Sequence, residues 1–210
     1  MQTHQEQHMT ERQPLPHLPR LPIDPALQER AQIVYRLLGE VYGIKPWAVR
    51  RDPMHELIST ILSHRTNAAN EAKAYRQLRE KYGSWEAIRD APVEGIAEAI
   101  APANWPEVKA PRIKAVLSRI IEERGSANID CLADLLAEEG MGWLESLPGV
   151  GPKTASLVLL FCFRKPVLPV DTHVHRVSGR IGLIGPRATA SMVIAVGRTV
   201  ELVAEPGAAL

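Results

Sequence analysis

The stretch from Trp143 to Phe163, WLESLPGVGPKTASLVLLFCF, decides how this chain folds. Trp143, Leu144 and Leu147 end one apolar helix, Pro148 to Gly151 make a tight turn, and a second apolar run follows from Ala155 to Phe163. Gly149 and Gly151, one residue apart, let the backbone take positive φ and leave no Cβ between its amides and an approaching anion. Pro152 suits the first position of the second helix, where its ring presets φ and its missing N–H would be an orphan in any case. Helix, hairpin and helix then point exposed amides and a positive dipole end in one direction, which makes a phosphate site. The alternative is an ordinary helical connection in which Pro and Gly are punctuation.

Charge supports the first reading. The formal net charge is only +1, yet between Leu147 and Arg187 stand Lys153, Arg164, Lys165, Arg176, Arg180 and Arg187, with His173 and His175 and Asp171 as the one acid. Cations gathered on one segment of a nearly neutral chain are a nucleic-acid footprint.

The hairpin, followed by Val170-Asp-Thr-His-Val-His-Arg-Val, resembles the helix-hairpin-helix (HhH-GPD) DNA glycosylase superfamily and, within it, the endonuclease III branch. In that family the residue matching Lys153 is the amine nucleophile and the one matching Asp171 is the catalytic carboxylate; their separation of 18 residues here is the family's. The likeness covers roughly residues 26 to 185 and is clearest from 143 to 183. Ile61-Leu-Ser-His-Arg-Thr is similar to the segment that wedges into the gap left by an extruded base, with Arg65 where the family usually has Gln. Ile100-Ala-Pro-Ala-Asn-Trp, with Lys109 and Ala110 downstream, adds to the likeness.

The resemblance implies an all-α, two-lobed helical bundle with a helix-hairpin-helix over about 143–163 and a DNA cleft between the lobes. A bundle over 46–165 would face a second lobe made of 26–45 plus 166–210, with Lys153 on one wall and Asp171 on the other. DNA contacts would come from Leu147, Gly149, Val150, Gly151 and Thr154 of the hairpin, and from Arg65, Asn67, His173 and Arg176. For Arg65 and Asn67 the alternative is a solvated helix face. The implied partner is double-stranded DNA carrying damaged bases or abasic sites, met by a monomer.

The chain also departs from that family. Endonuclease III relatives continue to a four-cysteine motif that binds a 4Fe–4S cluster. Here 39 residues follow Asp171 and none is Cys, so no cluster and no other cofactor or metal is expected, and the second lobe should be shortened. Cys131 and Cys162 are the only cysteines, which excludes a disulfide framework; both sit in apolar surroundings and read as buried small hydrophobes.

A chain of 210 residues, 45% hydrophobic and only 5% aromatic, can bury a mainly aliphatic core as one domain or two small ones. The sequence has no apolar run long enough for a transmembrane helix and no signal-peptide pattern at its start, so an intracellular, cytoplasmic and nucleoid-associated protein is expected. Residues 1–25, rich in Gln, His and Pro, read as a disordered leader in which His4, His8 and His17 are solvated.

Helical spacing dominates the rest. Ile33, Val34, Leu37, Leu38 and Val41 mark a helix from Pro25 to Gly43; Leu57, Ile58, Ile61 and Leu62 mark one over Met54 to Arg65. Helices are expected from Glu71 to Tyr82, in two short pieces to Arg89 and Ile100, through Ile113 to Ile121 up to Gly125, and from Ile129 to Ala137. With the hairpin pair this makes about ten helices and no strand.

The residues support a definite chemistry. A lysine attacks a sugar carbon only as the neutral amine, and burial near a helix N-terminus disfavours the ammonium. Amine attack at C1′ expels a base and leaves an imine that favours β-elimination, so Lys153 supports both glycosylase and lyase activity, the resemblance favouring oxidised pyrimidines. Asp171 would act on developing positive charge or in moving protons. Alternatives are a phosphate-contacting Lys153, an N-cap role for Asp171, and packing or phosphate contact for His173 and His175. A non-catalytic DNA-binding remnant is the competing function.

Overall fold

The structure, a computed structural model, describes residues 24–44 and 51–185, so the expectations for the leader, for residues 45–50 and for the end beyond 185 lie outside the described residues. All regular elements among them are helical. In chain order they are α1 Pro25–Tyr42, α2 Pro53–Ser63, α3 Ala68–Tyr82, α4 Trp85–Asp90, α5 Val93–Ala99, α6 Pro106–Arg124, a 3-10 turn Asp130–Ala133, α7 Ala137–Glu145, α8 Pro152–Phe163 and α9 Thr172–Arg180.

Local chemistry sets most starts and stops. Asp24, Asp52, Asn67 and Ser84 each accept a bond from an amide of the first turn, at 3.0, 3.0, 2.9 and 3.1 Å, so α1 to α4 begin on side-chain caps. Asn67 starts α3 at Ala68, three residues earlier than the sequence suggested. The α2 helix stops at Ser63 instead of reaching Arg65, because Arg65 takes a left-handed φ of 52°. The element expected over Ile129 to Ala137 is only a 3-10 turn, and Ala137 opens α7.

The core is aliphatic, as the low aromatic content requires. Leu57, Ile58, Ile61 and Leu62 of α2 meet Leu78, Ile88, Ile96, Ile113, Leu117, Ile120, Leu144, Val158 and Leu159 in one cluster. Tyr75, Trp85, Trp143 and Phe163 lie at its margin. The α2 helix packs on α3 and α8, α6 on α4 and α5, and α7 on α8. A Leu or Ile fully buried in this way contributes about 1.5–3 kcal/mol. Beyond α8, Val170 forms a smaller cluster with Leu168, Val174 and Ile184. Arg30 of α1 donates to the Gly182 carbonyl just past α9, at 2.8 Å.

The helix expected from Pro25 to Gly43 is present as α1, but its apolar stripe is not covered by the described residues: Leu37 and Leu38 are 49% and 52% exposed, Val41 is 72% exposed, and only Ala31 of the helix is buried. One sequence expectation needs correction. Cys131 and Cys162 are half-buried rather than buried; the Cys162 thiol lies 3.7 Å from the Arg51 carbonyl, and burial pushes it up to about 12.

Candidate active site

The hairpin is held from beneath. Leu147 and Val150 are buried in the core, and the Val150 amide closes the turn on the Leu147 carbonyl at 3.2 Å. Their side chains anchor the turn, so what the hairpin presents at these two positions is backbone. Gly149 has φ 72°, and a Cβ there would press on the Arg112 side chain, with Cδ at 2.6 Å. Gly151, by contrast, is extended (φ −106°, ψ 177°), and a Cβ on it would project into open space. Only one glycine of the pair therefore uses positive φ. Thr154 is buried, with Oγ1 3.4 Å from His64 Nε2, so its hydroxyl faces the protein rather than DNA.

Lys153 is the second residue of α8, after Pro152 at the helix start and Gly151 as a cap without a side chain. The burial expected for it is absent, because Lys153 is exposed at the mouth of a cleft. The chain then leaves α8 at Arg164, another left-handed residue (φ 53°). Lys165 fixes the exit, its amide bonded to the Leu159 carbonyl and its Nζ to the Ala133 carbonyl at 2.6 Å. This turns the strand of chain towards Asp171.

Asp171 caps α9. Its Oδ1 accepts from the amides of His173 and Val174 at 2.9 and 2.8 Å, and Oδ2 takes neither bond. The Val174 amide first, with the His173 amide and the charge of Lys153, holds the carboxyl below its ordinary value against the opposing effect of burial. Asp171 is therefore an oriented carboxylate at neutral pH.

Lys153 and Asp171 line the same cleft, of about 930 Å³, together with Arg65, Asn67 and His173. Ser63, Thr66, Val170, Thr172 and His175 complete the lining. Arg176 is outside it, one turn along α9, with Nη2 3.0 Å from His173 Nδ1. Asn67 combines its place in the cleft with capping α3.

Residues quoted from the sequence only for their likeness acquire contacts beside Arg65. Trp105 has φ 58° and is 50% exposed, and the Arg65 guanidinium lies 5.1 Å from its ring centre. Asn104 ties the two loops together, donating from Nδ2 to the Arg65 carbonyl at 2.5 Å and from its amide to Thr66 Oγ1 at 3.1 Å. Two adjacent non-glycine residues in the left-handed region cost about 1–2 kcal/mol each, strain of the kind that collects at functional sites. His64, half-buried beside Arg65, is held below its ordinary value by burial first and by Arg112, Lys109 and Lys153 next. Lys109 was legible as an oddity: it stands four residues before Ile113 and seven before Val116, on the buried stripe of α6.

Fold and site together define an all-helical protein whose hairpin offers an amine to an open cleft, faced by a capped carboxylate. The family model for HhH-GPD superfamily base excision DNA repair proteins matches residues 58–199, and the chain belongs to that family. It is 40% identical over 136 residues to "Endonuclease III" of Thermotoga maritima, covering 65% of this chain and 60% of that protein. It is 33% identical over 147 residues to "Thymine/uracil-DNA glycosylase" of Pyrobaculum aerophilum, covering 70% and 59%. The chain thus spans about three fifths of the length of these relatives. Its fold is similar to that in "Structure of a non-covalent Endonuclease III-DNA Complex", with a TM-score of 0.66 and 23% identity over 83% of this chain and 84% of the other. A thermostable thymine-DNA glycosylase structure gives a TM-score of 0.65 at 23% identity, covering 83% and 80%.

Proposed function

We propose that this chain is a DNA N-glycosylase and apurinic/apyrimidinic lyase acting on damaged bases, oxidised pyrimidines first among them. The observation that carries the reading is that Lys153 and Asp171 line one cleft of about 930 Å³. The segments 26–44 and 166–185 are taken as belonging to the second lobe, and the duplex as lying across the cleft.

The exposed Lys153 amine attacks C1′ of the extruded nucleotide, and the glycosidic bond breaks as the base leaves with a proton. Asp171, fixed through Oδ1, stabilises the positive charge that develops at the sugar and keeps Oδ2 for proton movement. The sugar ring opens to an imine between Lys153 and C1′. Loss of a C2′ proton then breaks the C3′–O bond, and water returns the free amine. DNA settling over the cleft removes the water that Lys153 now meets. The amides at the start of α8, open beside Gly151, receive a backbone phosphate. Arg65 and Trp105 together fill the gap left by the extruded base, the cost of extrusion being a few kcal/mol and least for damaged or mispaired bases.

No step runs through a cluster. The cysteines of this chain, Cys131 and Cys162, do not supply the four thiolates that a 4Fe–4S centre takes.

The exposure of Lys153 favours a second reading, in which it only contacts phosphate and the chain binds DNA without cutting it. One experiment separates the two. Borohydride added to the protein with a duplex carrying an abasic site should give a covalent complex that Lys153→Ala abolishes. Salt-sensitive binding with no trapped complex would establish the second reading instead.

A further inference from the structure

We propose that Lys109, buried and away from the cleft surface, is a positioning residue that sets the Arg65 loop for DNA. This inference rests on the reading of Arg65 as a group that enters the DNA. Lys109 is 2% exposed, and its Nζ donates to the Leu62 carbonyl at 2.7 Å, the His64 carbonyl at 2.8 Å and Thr66 Oγ1 at 2.9 Å. An ammonium has three donors, and all three close on the turn that follows α2.

The geometry explains why a charge is kept there. The chain leaves α2 after Ser63 and must bend sharply into Arg65, which points the carbonyls of Leu62 and His64 inward rather than along a helix. Inward carbonyls need a donor, and a single ammonium on α6 answers both together with the Thr66 hydroxyl. Thr66 Oγ1 also accepts from the Asn104 amide, and Asn104 in turn holds the Arg65 carbonyl. Lys109 thus joins the loop carrying Arg65 to the loop carrying Trp105. Arg112, one turn further along α6, lies against Gly149 of the hairpin, and His64 bridges from the loop to Thr154. One helix therefore spaces the loop from the hairpin that presents Lys153. Lys109, buried beneath the loop with its three donors taken, acts through Arg65.

A double-mutant cycle tests this with the full chain and a duplex containing a tetrahydrofuran abasic analogue, which binds but cannot be cleaved. Lys109→Met and Arg65→Ala should each weaken binding to that duplex by about tenfold or more, and the double variant should bind no more weakly than Arg65→Ala alone. Affinity for an undamaged duplex should change much less. Amide exchange should quicken at Thr66 and Asn104 in Lys109→Met while the α6 amides stay protected. Losses that add in the double variant, or that fall equally on both duplexes, would overturn the proposal in favour of a purely structural lysine. So would an unaltered chain that binds the two duplexes alike. Should Lys109→Met not fold, Thr66→Val, which removes one acceptor and leaves the lysine, takes its place in the cycle with the same expected pattern. Borohydride trapping by the unaltered chain is independent of this cycle, so loss of the lyase reading and loss of this inference are told apart.

Discussion

Single residues here do two jobs that substitution can pull apart. Asp171 both caps α9 and carries the carboxylate of the cleft. Asn caps a helix as well as Asp does, so Asp171→Asn should keep the melting temperature and lose excision and trapping. Asp171→Ala should lose both, with about 1 kcal/mol of stability gone by chemical denaturation. The two hairpin glycines divide in the same way. Gly149→Ala forces a Cβ into the left-handed region and onto Arg112, so it should destabilise by about 1–2 kcal/mol or more. Gly151→Ala meets nothing within the protein, so its melting temperature should hold while duplex affinity falls. An unchanged duplex affinity in Gly151→Ala would show that the open space there is not where a phosphate docks.

At the scale of elements, the cleft depends on where helices stop. The α2 and α8 helices both end with a non-glycine residue in the left-handed region nearby, Arg65 and Arg164, and α6 begins from another, Trp105. Strain of this kind is retained where it places a side chain. Trp105→Gly should therefore raise stability by about 1 kcal/mol, since glycine takes positive φ without penalty, yet it should weaken binding to an abasic duplex in a mobility-shift titration. A variant that gained stability and lost no affinity would remove Trp105 from the site. The exit from α8 is a packing problem of the same kind: Lys165 reaching Ala133 fixes the direction in which the chain travels to Asp171.

For the whole molecule, pH reports on burial. His64 and His55 are both held below the ordinary value of 6.5, burial being the first cause in each. Below 6.5 the unfolded chain takes up protons that these folded histidines refuse, so stability should fall as pH drops from there and level off once their folded values are passed. Asp171 works in a lower window: its contribution is complete above the ordinary carboxylate value and is lost only as pH falls through its depressed folded value. Urea midpoints at about pH 7.5 and about pH 5.5 should show the histidine loss, and His64→Gln should reduce it. An unchanged slope in that variant would mean that His64 is solvated and free to titrate.

What the sequence determined by itself was the helical class, most helix positions, the hairpin and the 18-residue interval between Lys153 and Asp171. These follow from hydrophobic period, Gly and Pro placement and caps, all of which act over a few residues. Only the tertiary structure decided which hairpin side chains face outward: Leu147, Val150 and Thr154 look like contact residues in a string, but their side chains are buried. It also decided that Lys153 is exposed, and that Lys109 belongs with Leu62, His64 and Thr66, more than forty positions away in the chain. Burial and long-range hydrogen bonding depend on which helices come to lie side by side, and no pattern confined to neighbouring residues carries that information.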